Sequence, residues 1–202
     1  MRIVCGLIAA AALALVAGPA QAHDASCFTV YENITGALQF SPLVTPGMEA
    51  FDDVHTAVSG TTVLCAVDVR GRPIGAGTLS VSVYANNGDG VAPGALLAGP
   101  VSLVFPAGLT SSAVYHFEFP MVPVGQDLWI GQSWAGVDGW AANPRTTPTL
   151  GTSHDTWYFT TPSGNYFDDN GTSEASLYLV VYGAASVPAT PSTWGAVKSA
   201  YR

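Results

Sequence analysis

The chain contains few charged side chains, and positive ones are the scarcest. Six Lys and Arg residues stand against fourteen Asp and Glu residues in a chain of 202, which gives a net charge of −8. Away from the two ends of the chain, only Arg70, Arg72 and Arg145 are basic. Because so few positive charges cannot form a basic patch, the composition excludes nucleic acid and anionic membrane surfaces as partners.

Known catalytic and metal-binding motifs are also missing. The sequence has no H-E-x-x-H, no C-x-x-C and no glycine-rich phosphate loop. Ser133 in GQSWAG misses the G-x-S-x-G pattern by one residue, and no helical pattern follows it. In a strand, Asp53 and His55 would share one face and Asp52 the other. That arrangement suits an Asp/His-based hydrolase or a metal site, but it is commoner as a polar edge-strand face. We therefore predict that the protein is not an enzyme.

Cysteine is scarce, and its placement depends on how the chain begins. Arg2 precedes an apolar run from residue 3 to 16, and the small triplet AQA follows at 20–22. This pattern predicts a secretory signal peptide over 1–22, cut before His23, because the run is short for a membrane span. Cys5 falls inside this leader. In an oxidising compartment the two others, Cys27 and Cys65, are expected to form a disulfide, with two buried thiols as the alternative.

The rest of the chain has the period-2 alternation of β-strands. Leu79, Val81 and Val83 are predicted to face inward from one strand, and Val63, Cys65, Val67 and Val69 to share a face of another. Prolines and glycines separate the strands, which favours an all-β, antiparallel β-sandwich of jelly-roll type as a single domain over 23–183. The predicted strands are 27–32, 49–57, 61–70, 78–85, 101–105, 113–119, 127–134, 155–160 and 175–183.

Beyond the sandwich, residues 184–191 (AASVPATP) read as a linker. The final stretch, 192–202, is a short tail that could form one or two helical turns. It places positive charge at the end of an acidic chain. The candidate sorting or attachment residues of this tail are Trp194, Gly195, Lys198, Tyr201 and Arg202.

The stretch VSVYANNGDGVAPGALLAGP resembles secreted bacterial β-sandwich modules of the choice-of-anchor type. In those modules a strand ending YxDxG is followed by PGxLL. AFDDVHTA, with Asp52 and Asp53, is similar to their first acidic strand, and YFDDNG (166–171) to a late polar loop. The ending TWGAVKSAYR resembles short tails shared by otherwise different exported bacterial proteins. These resemblances imply a sandwich fold, an exported location and a sorting role for the tail. The matching positions are Tyr84, Asn86, Gly88, Pro93, Gly94, Leu96 and Leu97.

The sequence requires no cofactor; calcium is the one that it suggests, because two loops could supply oxygen ligands for it. The stronger candidate is Asp168, Asp169 and Asn170, because adjacent carboxylates repel each other unless a cation lies between them. The NNGDG loop, with Asn86, Asn87 and Asp89, is more naturally a turn. Neither loop fits an EF-hand, and a plain turn is the favoured alternative at both.

Aromatic side chains near polar loops suggest sugar binding. Trp140, in the expected loop AGVDGWAANP, and Tyr166, beside FDDNG, could stack on a sugar ring while Asn143 bonds its hydroxyls. Trp129 and Trp157 lie in strands and are expected to fill the core. Core or covering contacts are the commoner use of every aromatic in this set.

These observations favour a secreted or cell-surface, non-catalytic module with a structural, adhesive or assembly role. The expected partner is an extracellular glycan, a protein surface or a second copy of the chain. The first alternative is a carbohydrate-binding module, assisted by calcium. The second is the Asp/His-based hydrolase.

Overall fold

The computed structural model describes residues 27–86, 92–108, 110–154, 156–162, 164–169 and 176–185. These residues form twelve β-strands and no helix. Within those ranges, therefore, no helix has the length and apolar character to cross a membrane. The strands make two antiparallel sheets that pack face to face.

Sheet I is organised around β4, which pairs with three other strands. On one edge of β4 lies β7; on the other, β12 pairs with Thr62–Val69 and β9 with Gly71–Pro73. β1 pairs with β12, and β2 with β9. The strands of sheet I are β1 (Phe28–Asn33), β2 (Gln39–Val44), β4 (Thr62–Pro73), β7 (Ala113–Val124), β9 (Gly139–Asn143) and β12 (Leu179–Ala185).

Sheet II runs in the order β11-β10-β3-β8-β5-β6. All its neighbouring pairs are antiparallel. Its strands are β3 (Glu49–His55), β5 (Gly77–Asn86), β6 (Pro93–Phe105), β8 (Asp127–Ala135), β10 (Thr156–Thr161) and β11 (Gly164–Asp169).

Eight of the strands follow the path of a jelly roll. One four-stranded half reads β1-β12-β4-β7, so that the first strand lies beside the last, and the other reads β3-β8-β5-β6. β2, β9, β10 and β11 are additions to these halves. The predicted fold class, an all-β antiparallel sandwich of jelly-roll type in one domain, is confirmed.

The core lies between the sheets and is built by strand alternation. Leu79, Val81 and Val83 on β5 are fully buried in it, as predicted from their spacing. Residues of one strand point alternately to its two faces, so every second side chain of β5 reaches the core. Val67 and Val69 meet them from β4. Burial of this apolar surface is the main force that holds the sheets together.

The predicted alternation on β4 is wrong at Val63 and Cys65. Along β12, neighbouring residues pair with Ala66 and then with Leu64, so that Cys65 is an extra residue in β4. Such a bulge reverses the order of faces along a strand. Leu64 therefore joins the core with Val67, and Val63 stays half-buried.

Cys65, at this bulge, forms the predicted disulfide with Cys27. Their sulfur atoms are 2.09 Å apart and their Cα atoms 6.4 Å apart. The bond joins β4 to the residue before β1. Because β12 lies between β1 and β4, the disulfide connects strands that do not pair directly.

Two strands, β6 and β7, are longer than predicted, because they continue through prolines that were expected to mark strand ends. β6 begins at Pro93 and continues through Pro100, and β7 continues through Pro120 and Pro123. Within the described chain, β6 pairs with β5 and β7 with β4, each along one edge. Proline cannot donate a ladder hydrogen bond, so an edge strand accommodates it where a central one would not.

Two regions expected to be loops are strands. Residues 139–143, in the expected loop AGVDGWAANP, form β9 against β2 and β4. Residues 166–169, expected as a late polar loop, belong to β11, which pairs with β10 along its whole length. Long-range pairing overrides the local turn composition in both places. β12 also continues to Ala185, two residues into the predicted linker.

Candidate functional site

Acidic and histidine side chains concentrate on β3 and its neighbours in sheet II. Alternation turns Asp52 towards sheet I, and Glu49, Asp53 and His55 towards the opposite side, called here the outer face of sheet II. The predicted sharing of one face by Asp53 and His55 is therefore confirmed.

Asp53 is buried and fully bonded, with 3% of its surface exposed. Its carboxylate accepts hydrogen bonds from Ser153 Oγ at 3.1 Å and from the backbone N–H of His154 at 2.8 Å. The Nδ1–H of His154 donates a third, at 2.9 Å. Charged acceptors bonded in this way hold a segment firmly. Asp53 thus fastens the segment before β10 onto the outer face of sheet II.

Asp52 also anchors a neighbouring segment, on the other side of β3. It is wholly buried, and its Oδ2 accepts the backbone N–H of Leu177 at 2.8 Å. The side chain of Asn33 donates to the carbonyl of Leu177 at 3.2 Å. The paired acids of AFDDV therefore each anchor one crossing segment, before β10 and before β12.

His55 has a different partner from Asp53. Its Nδ1 lies 2.5 Å from Oδ1 of Asp127 on β8, and both side chains are well exposed, at 39% and 51%. Ser133 pairs with Glu49, at the opposite end of β3 from His55. Ser133 of β8 and His55 thus lie at opposite ends of the β3–β8 pair, and Asp53 is bonded to Ser153 and His154 rather than to either of them.

A third histidine braces the outer face of sheet I. Nδ1 of His116 is 2.5 Å from Oδ1 of Asp68, and the hydroxyl of Tyr182 donates to Oδ2 of Asp68 at 2.8 Å. Burial, reinforced by the bond to Asp68, raises the pKa of Tyr182, so its phenol stays protonated and donates. Glu118 lies 4.0 Å from Nε2 of His116. These bonds join β4, β7 and β12.

Glu49 occupies the other end of the outer face of sheet II. The hydroxyl of Tyr84 on β5 lies 3.3 Å from its Oε1 and 3.1 Å from its Oε2. Burial raises the pKa of Glu49, and the bond from Tyr84 offsets part of that rise. Burial and the nearby Glu49 charge also raise the pKa of Tyr84, to about 12. Phe51 lies beside both, 5.3 Å from the Tyr84 ring.

Of the predicted calcium ligands, only Asn86, Asp168 and Asp169 fall in the part of the chain that the structure describes. Asp168 and Asp169 end β11, opposite Trp157 and Thr156 of β10. Asn170 lies outside the described residues, as do Asn87 and Asp89 of the other loop. Among the residues that the structure does describe, no three His, Cys, Asp or Glu side chains come together in a way that could hold a metal ion.

The predicted sugar-binding residues do not form one surface within the described chain. Trp140 and Asn143 are three positions apart on β9, so they point to opposite faces. Asn143 is 2% exposed, and its Oδ1 accepts the backbone N–H of Arg145 at 2.7 Å. Tyr166 lies on β11, in the other sheet. Trp134 is fully buried in the core. The prediction that Trp129 fills the core is wrong: it is fully buried, but on the outer face of sheet II, because it lies opposite Asp53 in the β3–β8 pair.

Sequence reasoning missed Glu49 as a candidate, although one signal was present. Glu49 lies two residues before Phe51 and four before Asp53, so alternation alone places the three on one face. The two other residues next to Glu49, Tyr84 and Gly131, lie on β5 and β8. The predicted tail residues Trp194, Gly195, Lys198, Tyr201 and Arg202 all lie outside the described residues.

Comparisons with known proteins add little. No protein-family model matches the chain, and no curated protein matches it. One solved structure with some similarity is that of the infectious bursal disease virus Gx strain. It is 13% identical, with a TM-score of 0.26, over 79% of this chain and 37% of the viral one. At that TM-score the likeness supports no argument, and the resemblance to choice-of-anchor modules stays a prediction.

Proposed function

We propose that the protein is an exported, non-catalytic β-sandwich module with a structural, adhesive or assembly role outside the cell or at its surface. The observation that carries this proposal is how its acid–base groups are used. Each of the three described histidines, His55, His116 and His154, lies with Nδ1 against an aspartate of another segment. Such bonds brace the fold.

The disulfide between Cys27 and Cys65 supports the exported location, because such bonds persist in oxidising compartments. The jelly roll itself is compatible with many roles, so the fold alone does not choose between them. The tail at 192–202 is the segment that we assign to sorting, attachment or assembly, because it places late positive charge on an acidic chain.

Deletion of residues 192–202 tests the proposal. We expect the shortened protein to keep its melting temperature and to lose cell association or assembly. A second variant, the full-length chain with Lys198 and Arg202 replaced by Gln, keeps the length and removes the positive charge, and it should lose cell association or assembly in the same way. Unchanged localisation and assembly in the deletion variant would contradict the proposal.

The carbohydrate-binding alternative, with or without calcium, stays a prediction. Asn143 is committed to Arg145 in the described chain, which leaves Trp140 and Tyr166 as its remaining candidates. A glycan array with and without a chelator tests it. The alternative fails if no glycan binds and the chelator leaves the melting temperature unchanged.

A further inference from the structure

The carboxylate of Glu49 lies against Gly131 of β8, in a site formed by Glu49, Phe51, Tyr84 and Tyr158 that we call the seat. Gly131 faces Phe51 across the β3–β8 pair, on the outer face of sheet II. A Cβ added to Gly131 would lie 2.2 Å from Oε1 of Glu49 and 2.9 Å from Cε1 of Phe51. Real contacts are never that short, so any larger residue at 131 would displace the carboxylate. The glycine therefore lets Glu49 lie flat across the sheet.

This carboxylate has little to compensate its charge. Both of its oxygens face the same donor, the hydroxyl of Tyr84. No described Lys, Arg or His side chain lies within ion-pair distance of it. A partly buried anion without a cation is unfavourable, because it loses water and gains little in return. The fold keeps the carboxylate there even so.

Three aromatic rings form part of the seat. Phe51 is edge-on to Tyr84 on one side, with ring centroids 5.3 Å apart, and to Tyr158 on the other, at 5.8 Å. Tyr84 and Tyr158 are partly exposed, whereas Phe51 is buried beneath them. Aromatic faces attract cations within about 6 Å of the ring centre, and the attraction grows where water is excluded. The seat thus combines a partly desolvated carboxylate with two partly exposed rings.

We propose that the seat formed by Glu49, Tyr84, Phe51 and Tyr158 binds a lysine or arginine side chain of a partner polypeptide. An ammonium or guanidinium group would neutralise the carboxylate and contact the rings at the same time. A neutral glycan could donate hydroxyl hydrogen bonds to the carboxylate, but it would leave the negative charge without a cation. A divalent ion such as calcium needs six or more oxygen ligands, and the described part of the seat offers one carboxylate. The net charge of −8 favours a basic partner.

The test uses three acetylated, amidated tripeptides, Gly-Arg-Gly, Gly-Lys-Gly and Gly-citrulline-Gly, and follows the backbone resonances of the whole protein by NMR. Citrulline keeps the shape of arginine without its charge. We expect the arginine or lysine peptide to shift resonances of β3, β5 and β8 around Glu49 in a saturable way. The citrulline peptide should not do so.

The Glu49→Gln variant should weaken this binding about tenfold or more, since a hydrogen bond to a charged group is lost. The matched control is Glu118→Gln, which removes the same charge from the outer face of sheet I and should bind like the wild type. Equal binding of the citrulline peptide, equal binding by Glu49→Gln, or no binding at all would each overturn the proposal. The test does not involve the tail, so its outcome is independent of the sorting and assembly experiment.

Discussion

Glu49 and Asp53 lie four residues apart on the same face of β3, and their carboxylates are in opposite situations. Asp53 is 3% exposed and accepts three hydrogen bonds from Ser153 and His154. Glu49 is partly buried, and a single phenol donates to it. One end of the outer face of sheet II is therefore closed and bonded, whereas the other is open to a further partner.

The difference separates two uses of a buried acid. A carboxylate that is fully bonded contributes to stability and positions a segment. One that is desolvated without compensation has its pKa raised and weakens the fold, which is the pattern of groups kept for binding or chemistry. The face thus divides into a structural end at Asp53 and a binding end at Glu49.

The largest effect is expected at the structural end. Asp53→Ala would leave the backbone N–H of His154 and the hydroxyl of Ser153 without their acceptor, and should lower the free energy of unfolding by about 3 kcal/mol. Denaturant unfolding measures this. The matched control is Asp127→Ala, which breaks the exposed pair with His55 and should lower that free energy by less than about 1 kcal/mol. Equal losses in the two variants would remove the structural assignment of Asp53.

A smaller loss is expected from filling the seat. Gly131→Ala places a methyl group where Oε1 of Glu49 and the ring edge of Phe51 now lie. The carboxylate ends a flexible, partly exposed side chain and can turn away, whereas the buried Phe51 ring must shift, so the free energy of unfolding should fall by about 1 kcal/mol. In Gly125→Ala the new Cβ would meet nothing nearer than 4.0 Å, so that variant should unfold like the wild type. Replacing Glu49 with Ala in the Gly131→Ala protein should recover part of the loss. A seat that matters to Glu49 predicts this recovery, and its absence would count against the seat.

The sequence predicts relations within one strand better than contacts that depend on how distant strands pair. Alternation alone places Leu79, Val81 and Val83 in the core and sets Asp53 and His55 on one face, because these relations are local to one strand. It cannot find the bulge at Cys65, because a bulge depends on the register of β12, more than a hundred residues later.

The seat of Glu49 is hidden from sequence reasoning for the same reason. Tyr84 and Gly131 lie 35 and 82 positions after Glu49 in the sequence, on two other strands. Only the order of strands in the sheet brings them next to Glu49. Local composition also misled at β9 and β11, where turn-forming residues lie in strands because distant partners pair with them.

The most direct test of the division between the two ends compares the wild type with Glu49→Gln at about pH 3 and at pH 7. Burial raises the pKa of Glu49 above its ordinary 4.5, so the native state holds this proton at higher pH than the unfolded chain. The stability that protonation of Glu49 contributes to the native state is fully present below pH 4.5. It is lost as the pH rises through the raised pKa of Glu49. Because Gln cannot ionise, Glu49→Gln should avoid that loss.

We therefore expect Glu49→Gln to be more stable than the wild type at pH 7, by less than about 1 kcal/mol because water still reaches the carboxylate. Relative to the wild type it should gain nothing at about pH 3, where the carboxyl is protonated in both states. Denaturant unfolding at the two pH values gives the difference. If Glu49→Gln is instead less stable than the wild type at pH 7 and its deficit shrinks towards pH 3, then Glu49 stabilises the fold as an anion. That result would contradict the assignment of this end of the face to binding.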